Sequence, residues 1–590
     1  MVVAGRIRQL AHFVQGRLST RQFFMLSCLL VGLLSALAAI VLKFFVHTIG
    51  TWVSVYSASY EAFYLFALFP LVGISLTVAY VKFGLKGRLR KGSAEIGYAL
   101  ARHSAKLPFS QTYSHIVTSA LTVGFGGSVG LESPMVSTGS AVGANYGTYF
   151  RLSYKDRTIL VASGAAAGIA AAFNAPIAGV LFAIEVLLAD VAVSAFIPII
   201  LAAATGALLS KIILAEGVIL SFAGQQPFNY HNLPFYVLLG IIAGFVSLYY
   251  AHALQRMESL FGRLKTSGGK VLWGGLGLFV LLLAFPSLFG EGYESIKSLS
   301  SQDLQKIVHG SLLEQHLQSE ISVLLFVGAL IFIKVLAVGL TLGSGGNGGN
   351  FGPSLFVGAY LGFTVAKLIN LTGIGHVPEN NFTLVAMAGI LSGVFYAPLC
   401  GIFLIAEITG GYALIIPLMI VAALSMTVAK YFEPLSMEGK KLETLLNATL
   451  ENRDQLLLSK LDLSSLLETD FSAVRPDDTL KMLVRVVSIS KRNTFPVVNR
   501  EGMLMGVVYL DDIREIIFDT QRYDTTFVSE LMSKAPAVQF NERLTSIITA
   551  FDETGQWNLP VVNRGKYLGF LSKARILTEY RAELMKNDLG

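Results

Sequence analysis

Cysteine and charge are both scarce in this sequence. Only Cys28 and Cys400 occur, each inside an apolar stretch. A disulfide framework or a thiolate metal centre is therefore not expected, and both read as small core residues. Charged residues make up 14% of 590 positions against 53% apolar ones, too few for an ordinary soluble enzyme. There is no His-Glu-x-x-His segment and no evident Ser/His pair in the apolar stretches, so no enzyme and no bound metal is expected. The net charge is +7, but no basic stripe interleaves with aromatics, and a nucleic-acid footprint is not expected.

What the chain has is long apolar runs. Gln22 to Leu42 and Ala62 to Val81 are uncharged or nearly so and long enough to cross a bilayer. Further apolar blocks follow near 156–210, 234–255, 270–289, 321–333, 351–372 and 382–429. Several are short or broken by Gly and Pro, as in transporters built from discontinuous helices. Arg6, Arg8, Arg17 and Arg21 precede the first span, and Lys82, Lys86, Arg88, Arg90 and Lys91 follow the second. Both clusters fit a cytoplasmic side, which places the N-terminus there and makes the positive charge a matter of topology. The first span starts too far in and lacks a small-residue cleavage site, so it reads as an anchor.

Two internal repeats organise the chain. Ala175-Pro-Ile-Ala-Gly-Val-Leu-Phe-Ala-Ile-Glu185 is matched by Ala397-Pro-Leu-Cys-Gly-Ile-Phe-Leu-Ile-Ala-Glu407. Upstream, Gly130-x-Glu132-x-Pro134 and Gly349-x-Phe351-x-Pro353 precede these blocks at nearly equal distances. The expected architecture is an all-α polytopic membrane protein of two homologous halves, roughly 22–210 and 234–435, with its binding site where the paired breaks meet. Past about 435 the composition turns polar and strand-like. Phe495-Pro-Val-Val-Asn-Arg500 recurs as Leu559-Pro-Val-Val-Asn-Arg564, each preceded by an amphipathic helix. This predicts a membrane domain over 1–435, a linker over 436–465, and two small α/β modules over 466–520 and 527–585, cytoplasmic if the topology holds.

Glu132 stands out, because a carboxylate at membrane depth is costly and by default functional. It lies in a glycine break, and glycines before a helix start leave N–H groups that suit an anion. Glu185 and Glu407 read instead as structural carboxylates, each paired with a neighbour or a helix end.

With these motifs the chain resembles the CLC chloride channel and transporter family. Gly130-Leu131-Glu132-Ser-Pro134 matches that family's Gly-(Arg/Lys)-Glu-Gly-Pro element, and Gly349-Asn350-Phe351-Gly-Pro353 its Gly-x-Phe-x-Pro element. The tail resembles a pair of CBS modules. The resemblance implies inverted halves with broken helices and a homodimer with one anion pathway per subunit. It also implies chloride as the transported ligand, protons as a second one in the exchanging members, and a gating role for Glu132. Gly130, Leu131, Gly349, Asn350 and Phe351 would line the anion site, mostly through backbone N–H groups.

Three departures bear on mechanism. The family's first anion loop is usually Gly-Ser-Gly-Ile-Pro, whereas this chain reads Arg90-Lys-Gly-Ser-Ala-Glu95, which leaves Lys91 or Ser93 as the anion-side residue. The family's pore tyrosine is missing, with Ser436, Met437 or Glu438 in its region. The inner glutamate that often follows the residue matching Glu185 is Val186 here. In the tail, the nucleotide signature Gly-x-x-(Ser/Thr)-x-x-Asp is split: Asp512 survives in the first module and Ser572 in the second. Adenine-nucleotide regulation and a purely dimer-supporting tail both stay open. So do channel-like conduction and proton exchange with an atypical central site, and a CBS-regulated divalent-cation transporter is the alternative of another class.

Overall fold

The computed structural model describes residues 18–588, apart from 60–62, 90, 103, 189–194, 215–225, 302, 448–462 and 543. Arg6, Arg8, Arg17 and Arg90, and much of the 436–465 stretch, lie outside the described residues. The chain divides between Thr444 and Leu445 into two compact units.

In the first unit, nine helices among the described residues are long and apolar enough to cross a membrane, so this is a multi-pass membrane protein. The first, Thr20–Ser59, has 40 residues. At ~1.5 Å per residue it exceeds a ~30 Å hydrocarbon core and must tilt or protrude. The second, Phe63–Ala79, carries Pro70 in its interior, a residue that costs a ladder hydrogen bond and is tolerated where neighbouring helices cover it.

The sequence repeat is also a structural repeat. Helix Tyr154–Phe173 ends on Asn174 with φ 55°, and helix Glu379–Phe395 ends on Tyr396 with φ 57°. Each left-handed residue stops its helix, a non-helical alanine follows, and a proline opens the next helix, Pro176–Phe182 or Pro398–Ile408. These two helices cap each other's repeat. Glu407 accepts the N–H groups of Ile177 (3.0 Å) and Ala178 (2.8 Å), and Glu185 accepts those of Leu399 (3.1 Å) and Cys400 (2.8 Å). The first N–H groups of a helix have no intrahelical acceptor, which explains a carboxylate nine residues after each proline. Helices Glu132–Tyr149 and Tyr154–Phe173 touch backbone to backbone. A Cβ on Gly139 would stand 2.1 Å from the Gly164 carbonyl oxygen, so no side chain fits there.

The stretch expected to begin a linker at 436 is helical over 437–447, and its first residues, through Thr444, belong to the membrane unit. Met437 is buried in the main core of that unit, which explains why the apolar pattern alone stopped too early.

The second unit holds a two-stranded sheet, Thr494–Val498 with Leu504–Tyr509, and a three-stranded sheet of Val538–Gln539, Asn558–Asn563 and Lys566–Ser572. The leading segments of the two modules are exchanged. Glu468 bridges to Phe570 and Leu466 packs in the core of the second module, whereas Ser533 bridges to Val507 and Val528 packs in the core of the first. The 466–520 and 527–585 boundaries therefore do not coincide with the two cores, because a short flanking strand pairs by register and not by sequence proximity.

Candidate anion pathway

Glu132 opens the helix Glu132–Tyr149, and Phe351 opens the helix Phe351–Thr372. The two breaks before them are joined by an antiparallel bridge. Gly130 N–H donates to Gly349 O at 2.9 Å, and Gly349 N–H donates to Gly130 O at 2.7 Å. Both helix N-termini, with their partial positive charge, thus converge from opposite halves.

The Glu132 carboxylate is buried between them. Its Oε1 accepts the Tyr293 hydroxyl at 2.7 Å, and its Oε2 accepts the Gly352 N–H of the other half at 3.3 Å. Glu291 accepts the Leu131 N–H at 3.2 Å. Glu291 lies in the connection after helix Ser267–Ala284, and burial followed by the Glu132 charge pushes its carboxyl above the usual range. Lys334 is fully buried nearby. Its Nζ donates to Ser128 Oγ at 2.8 Å and Gly290 O at 3.1 Å, and it stands 4.9 Å from the Phe356 ring centroid.

This geometry corrects part of the expected ligand set. The N–H groups of Gly130, Leu131 and Gly349 already have protein acceptors and do not face an anion here. Those of Asn350 and Phe351 stand at the helix start, where no intrahelical acceptor exists, and both residues line the adjoining cavity. The ring of Phe351 packs 5.6 Å from that of Phe173, 6.0 Å from Phe182 and 5.5 Å from Phe395 by centroid distance, so this wall is apolar. The glycine-rich run before Asn350 is anchored. Asn347 donates from its side chain to Thr118 Oγ1 (2.7 Å) and Ser119 Oγ (2.9 Å), which ties this run to the helix Gln111–Gly124.

Three cavities meet at this site. A central one of about 140 Å³ is lined by Glu132, Asn350, Phe351, Lys91, Ser93 and Glu438 among others. A wider one of about 780 Å³ shares Glu132 with it and adds Lys43, Glu291, Tyr293 and Lys297. A third, of about 540 Å³, shares Ser93, Phe395 and Glu438 with the central cavity and reaches Glu185 and Val186.

Both Lys91 and Ser93 reach the central cavity. Lys91 Nζ donates to the carbonyls of Gly345 (3.1 Å) and Gly346 (2.6 Å), ahead of the second break. The protein around it lowers its pKa to about 8, with Glu258 opposing, although the cavities it lines let water reach the side chain and limit that shift. Ser93 donates its hydroxyl to Glu438 at 3.0 Å, and Glu438 is one of the three residues in the region of the absent pore tyrosine.

In the second unit, Asp512 is exposed in the helix Leu510–Ile513, and Ser572 ends the strand Lys566–Ser572 half-buried. Arg575, at the acidic position of the second signature, donates to Ser465 O at 2.9 Å.

Sequence reasoning passed over Glu291, Tyr293 and Lys334. The first two sit in a short polar stretch that resembles a surface connection. Lys334 offered a signal, as the single charge within the helix Glu320–Gly343 after its first residue.

Comparison with known proteins agrees with this geometry. Residues 73–430 match the family described as voltage gated chloride channel, and residues 463–519 match the CBS domain. The chain is 28% identical over 404 residues to a putative chloride channel protein ClcB-like of Ralstonia nicotianae, covering 66% of this chain and 90% of that one. It is 33% identical over 349 residues to the H(+)/Cl(-) exchange transporter ClcA of Klebsiella pneumoniae, covering 56% and 68%. The fold is similar to that of a slow cyanobacterial Cl−/H+ antiporter, with TM-score 0.62 at 22% identity over 73% of this chain and 99% of that one. With the family match spanning more than half its length, this chain belongs to the voltage gated chloride channel family, CLC, and carries a CBS domain after its membrane part.

Proposed function

We propose that this protein carries chloride across the membrane along a pathway gated by Glu132. The observation that supports it most is the position of the Glu132 carboxylate. It accepts the Gly352 N–H across the repeat interface and forms part of the wall of both the central cavity and the one of about 780 Å³. A carboxylate and a halide are both monovalent anions that accept the same amides, so each excludes the other from that place. Protonated Glu132 would give up the Gly352 amide and admit the ion. Asn350 and Phe351 would then supply free N–H groups, and Lys91 a cation in the wall of the same cavity.

The test is chloride efflux from liposomes with Glu132→Gln, a neutral side chain of the same shape. Efflux should persist or rise and lose its dependence on pH. A folded variant with no chloride flux would remove the gating role.

Proton-coupled exchange is the second reading, supported by Tyr293 and Glu291 beside Glu132 in the cavity of about 780 Å³, where a proton could be passed. Proton uptake against a chloride gradient separates the two, since a channel drives none. In either case we read the protein as a transporter and not an enzyme. It would act as a homodimer with its N-terminus and CBS tail cytoplasmic, the tail supporting the dimer, with nucleotide binding at Asp512 and Ser572 the alternative. Among the described residues no three His, Cys, Asp or Glu side chains gather as a metal site, and the divalent-cation alternative gains no supporting observation.

A further inference from the structure

The central cavity has a carboxylate at two of its boundaries. Glu132 separates it from the cavity of about 780 Å³, and Glu438 stands between it and the cavity of about 540 Å³. The two carboxylates are held alike. Glu132 Oε2 accepts an N–H from the first turn of helix Phe351–Thr372. Glu438 Oε2 accepts the Ala94 N–H at 3.1 Å and the Ser93 hydroxyl at 3.0 Å, in the first turn of the nine-residue helix Ser93–Ala101. That helix has no side-chain cap from its own N-cap residue, Gly92, so Glu438 is brought in from far along the chain to fill its amide end.

The charges around Glu438 are balanced. Lys441, one turn further along its own helix, pairs with Glu258 at 2.7 Å, and Glu258 comes from the helix Leu233–Arg263. Lys91 faces the same cavity from the loop before Ser93. Two cations and two carboxylates thus line this end of the cavity. A halide arriving there meets a positively polarised helix end already taken by an anion.

We propose that Glu438 is a second carboxylate gate, in series with Glu132, which closes the other end of the central cavity by holding the Ser93–Ala94 amide end against a passing anion. The inference rests on the chloride pathway proposed above. In the resting arrangement Glu438 competes with chloride for the Ala94 N–H and the Ser93 hydroxyl. When chloride binds, the carboxylate is displaced toward Lys441, which is already within its electrostatic reach. Conduction then requires both carboxylates to leave their helix ends.

A plain helix cap makes a different prediction. In Glu438→Gln the amide oxygen still accepts the Ala94 N–H, so a cap survives, while the competing charge is gone. The experiment uses the full chain in liposomes, with chloride efflux and calorimetric chloride binding measured for wild type, Glu438→Gln, Glu132→Gln and the double variant. Glu438→Gln should bind chloride about tenfold more tightly, the scale expected from removing one like charge at close range. It should also pass chloride faster than wild type, and the double variant faster than either. Ser93→Ala, which removes one of the two bonds and leaves the carboxylate, should move both readouts part of the way. Affinity and efflux at or below wild type in Glu438→Gln, with Glu132→Gln raised, would leave the chloride pathway standing and overturn the second gate. No chloride efflux and no chloride binding in any of the four proteins would instead overturn the pathway, and the second gate with it.

Discussion

Gly130 and Gly349 exchange two backbone hydrogen bonds, at 2.9 Å and 2.7 Å, across the junction of the two halves. The pair is a single antiparallel bridge, and it sets the spacing between the start of the Glu132 helix and the start of the Phe351 helix. The placing of Glu132 beside Gly352 therefore depends on two residues without side chains holding two loops at backbone distance.

A side chain at this junction should be costly. A Cβ on Gly349 would lie 2.7 Å from Ser133 Cβ and 3.0 Å from Ser133 N. Gly349→Ala should lose roughly 1–3 kcal/mol of stability by overpacking, seen as a lower Tm, together with most of its chloride efflux. Gly262→Ala is the control, because nothing lies within 4 Å of that Cβ. Its Tm should hold or rise.

Tyr293 donates its hydroxyl to the proposed gate, Glu132, from the cavity of about 780 Å³. Removing its hydroxyl with Tyr293→Phe takes away a hydrogen bond to a carboxylate, an interaction on the order of 1.5–3 kcal/mol. The Glu132 carboxyl should then protonate more readily, and the pH at which efflux is half-maximal should move upward. An unchanged pH profile would show that the hydroxyl does not hold the gate.

Lys91 makes a second pH prediction, in a higher range. Its pKa is lowered to about 8, so below that pH it is a cation in both folded and unfolded chains. Above it the folded chain loses the proton first. Chloride affinity measured by calorimetry should fall as pH rises through about 8. Stability should rise between about 8 and the ordinary lysine pKa of 10.5, because the unfolded chain binds more protons there. Lys91→Met should flatten both dependences and weaken chloride binding at neutral pH. Equal affinity in the variant would return Lys91 to a role in the loop alone.

The reciprocal caps of Glu185 and Glu407 should be interchangeable in effect. Glu185→Ala leaves the Leu399 and Cys400 N–H groups bare, and Glu407→Ala does the same to Ile177 and Ala178. Each should cost about 1–2 kcal/mol, the range of a lost N-cap, with similar falls in Tm. Any proton uptake driven by a chloride gradient should be unaffected. A loss of coupling in Glu185→Ala without a fall in Tm would move that residue from support to transport.

The exchanged segments of the tail can be read by hydrogen exchange. Leu466 lies in the leading segment of the first module yet packs with Val538, Leu559 and Phe551 of the second. Leu466→Ala should cost about 2–5 kcal/mol as a buried truncation. The added amide exchange should appear in strands Asn558–Asn563 and Lys566–Ser572 before Thr494–Val498. The reverse order would mean that the first module relies on Leu466.

Much of the membrane unit was legible because a bilayer imposes a coarse requirement, long apolar helices, that any sequence meeting it must display. The repeat around Pro176 and Pro398 was legible because proline and the carboxylate nine residues later are local features, even though the carboxylates act on the opposite half. The site was less legible. Glu132 announced itself as a charge in a glycine break, but its partners Tyr293 and Gly352 lie far away in sequence and carry no local sign of their role. Glu438 looked like part of a linker, since a polar residue after the last apolar run has the same pattern whether it lies in a cavity wall or in water.

By itself, then, the sequence determined that this chain is a membrane protein of two related halves with paired glycine breaks, one acidic residue in the first of them, and a tandem α/β tail. Composition and spacing are enough for that, because hydrophobic burial and backbone freedom act residue by residue. Only the tertiary structure decided how the amides at the breaks are divided, with Gly130 and Gly349 bound to each other and Asn350 and Phe351 left facing the cavity. It also decided that Glu438 fills the helix end at Ser93 and that the tail modules exchange their leading segments. Hydrogen-bond partners are chosen by position in space, and a buried donor takes whichever acceptor the packing brings within reach.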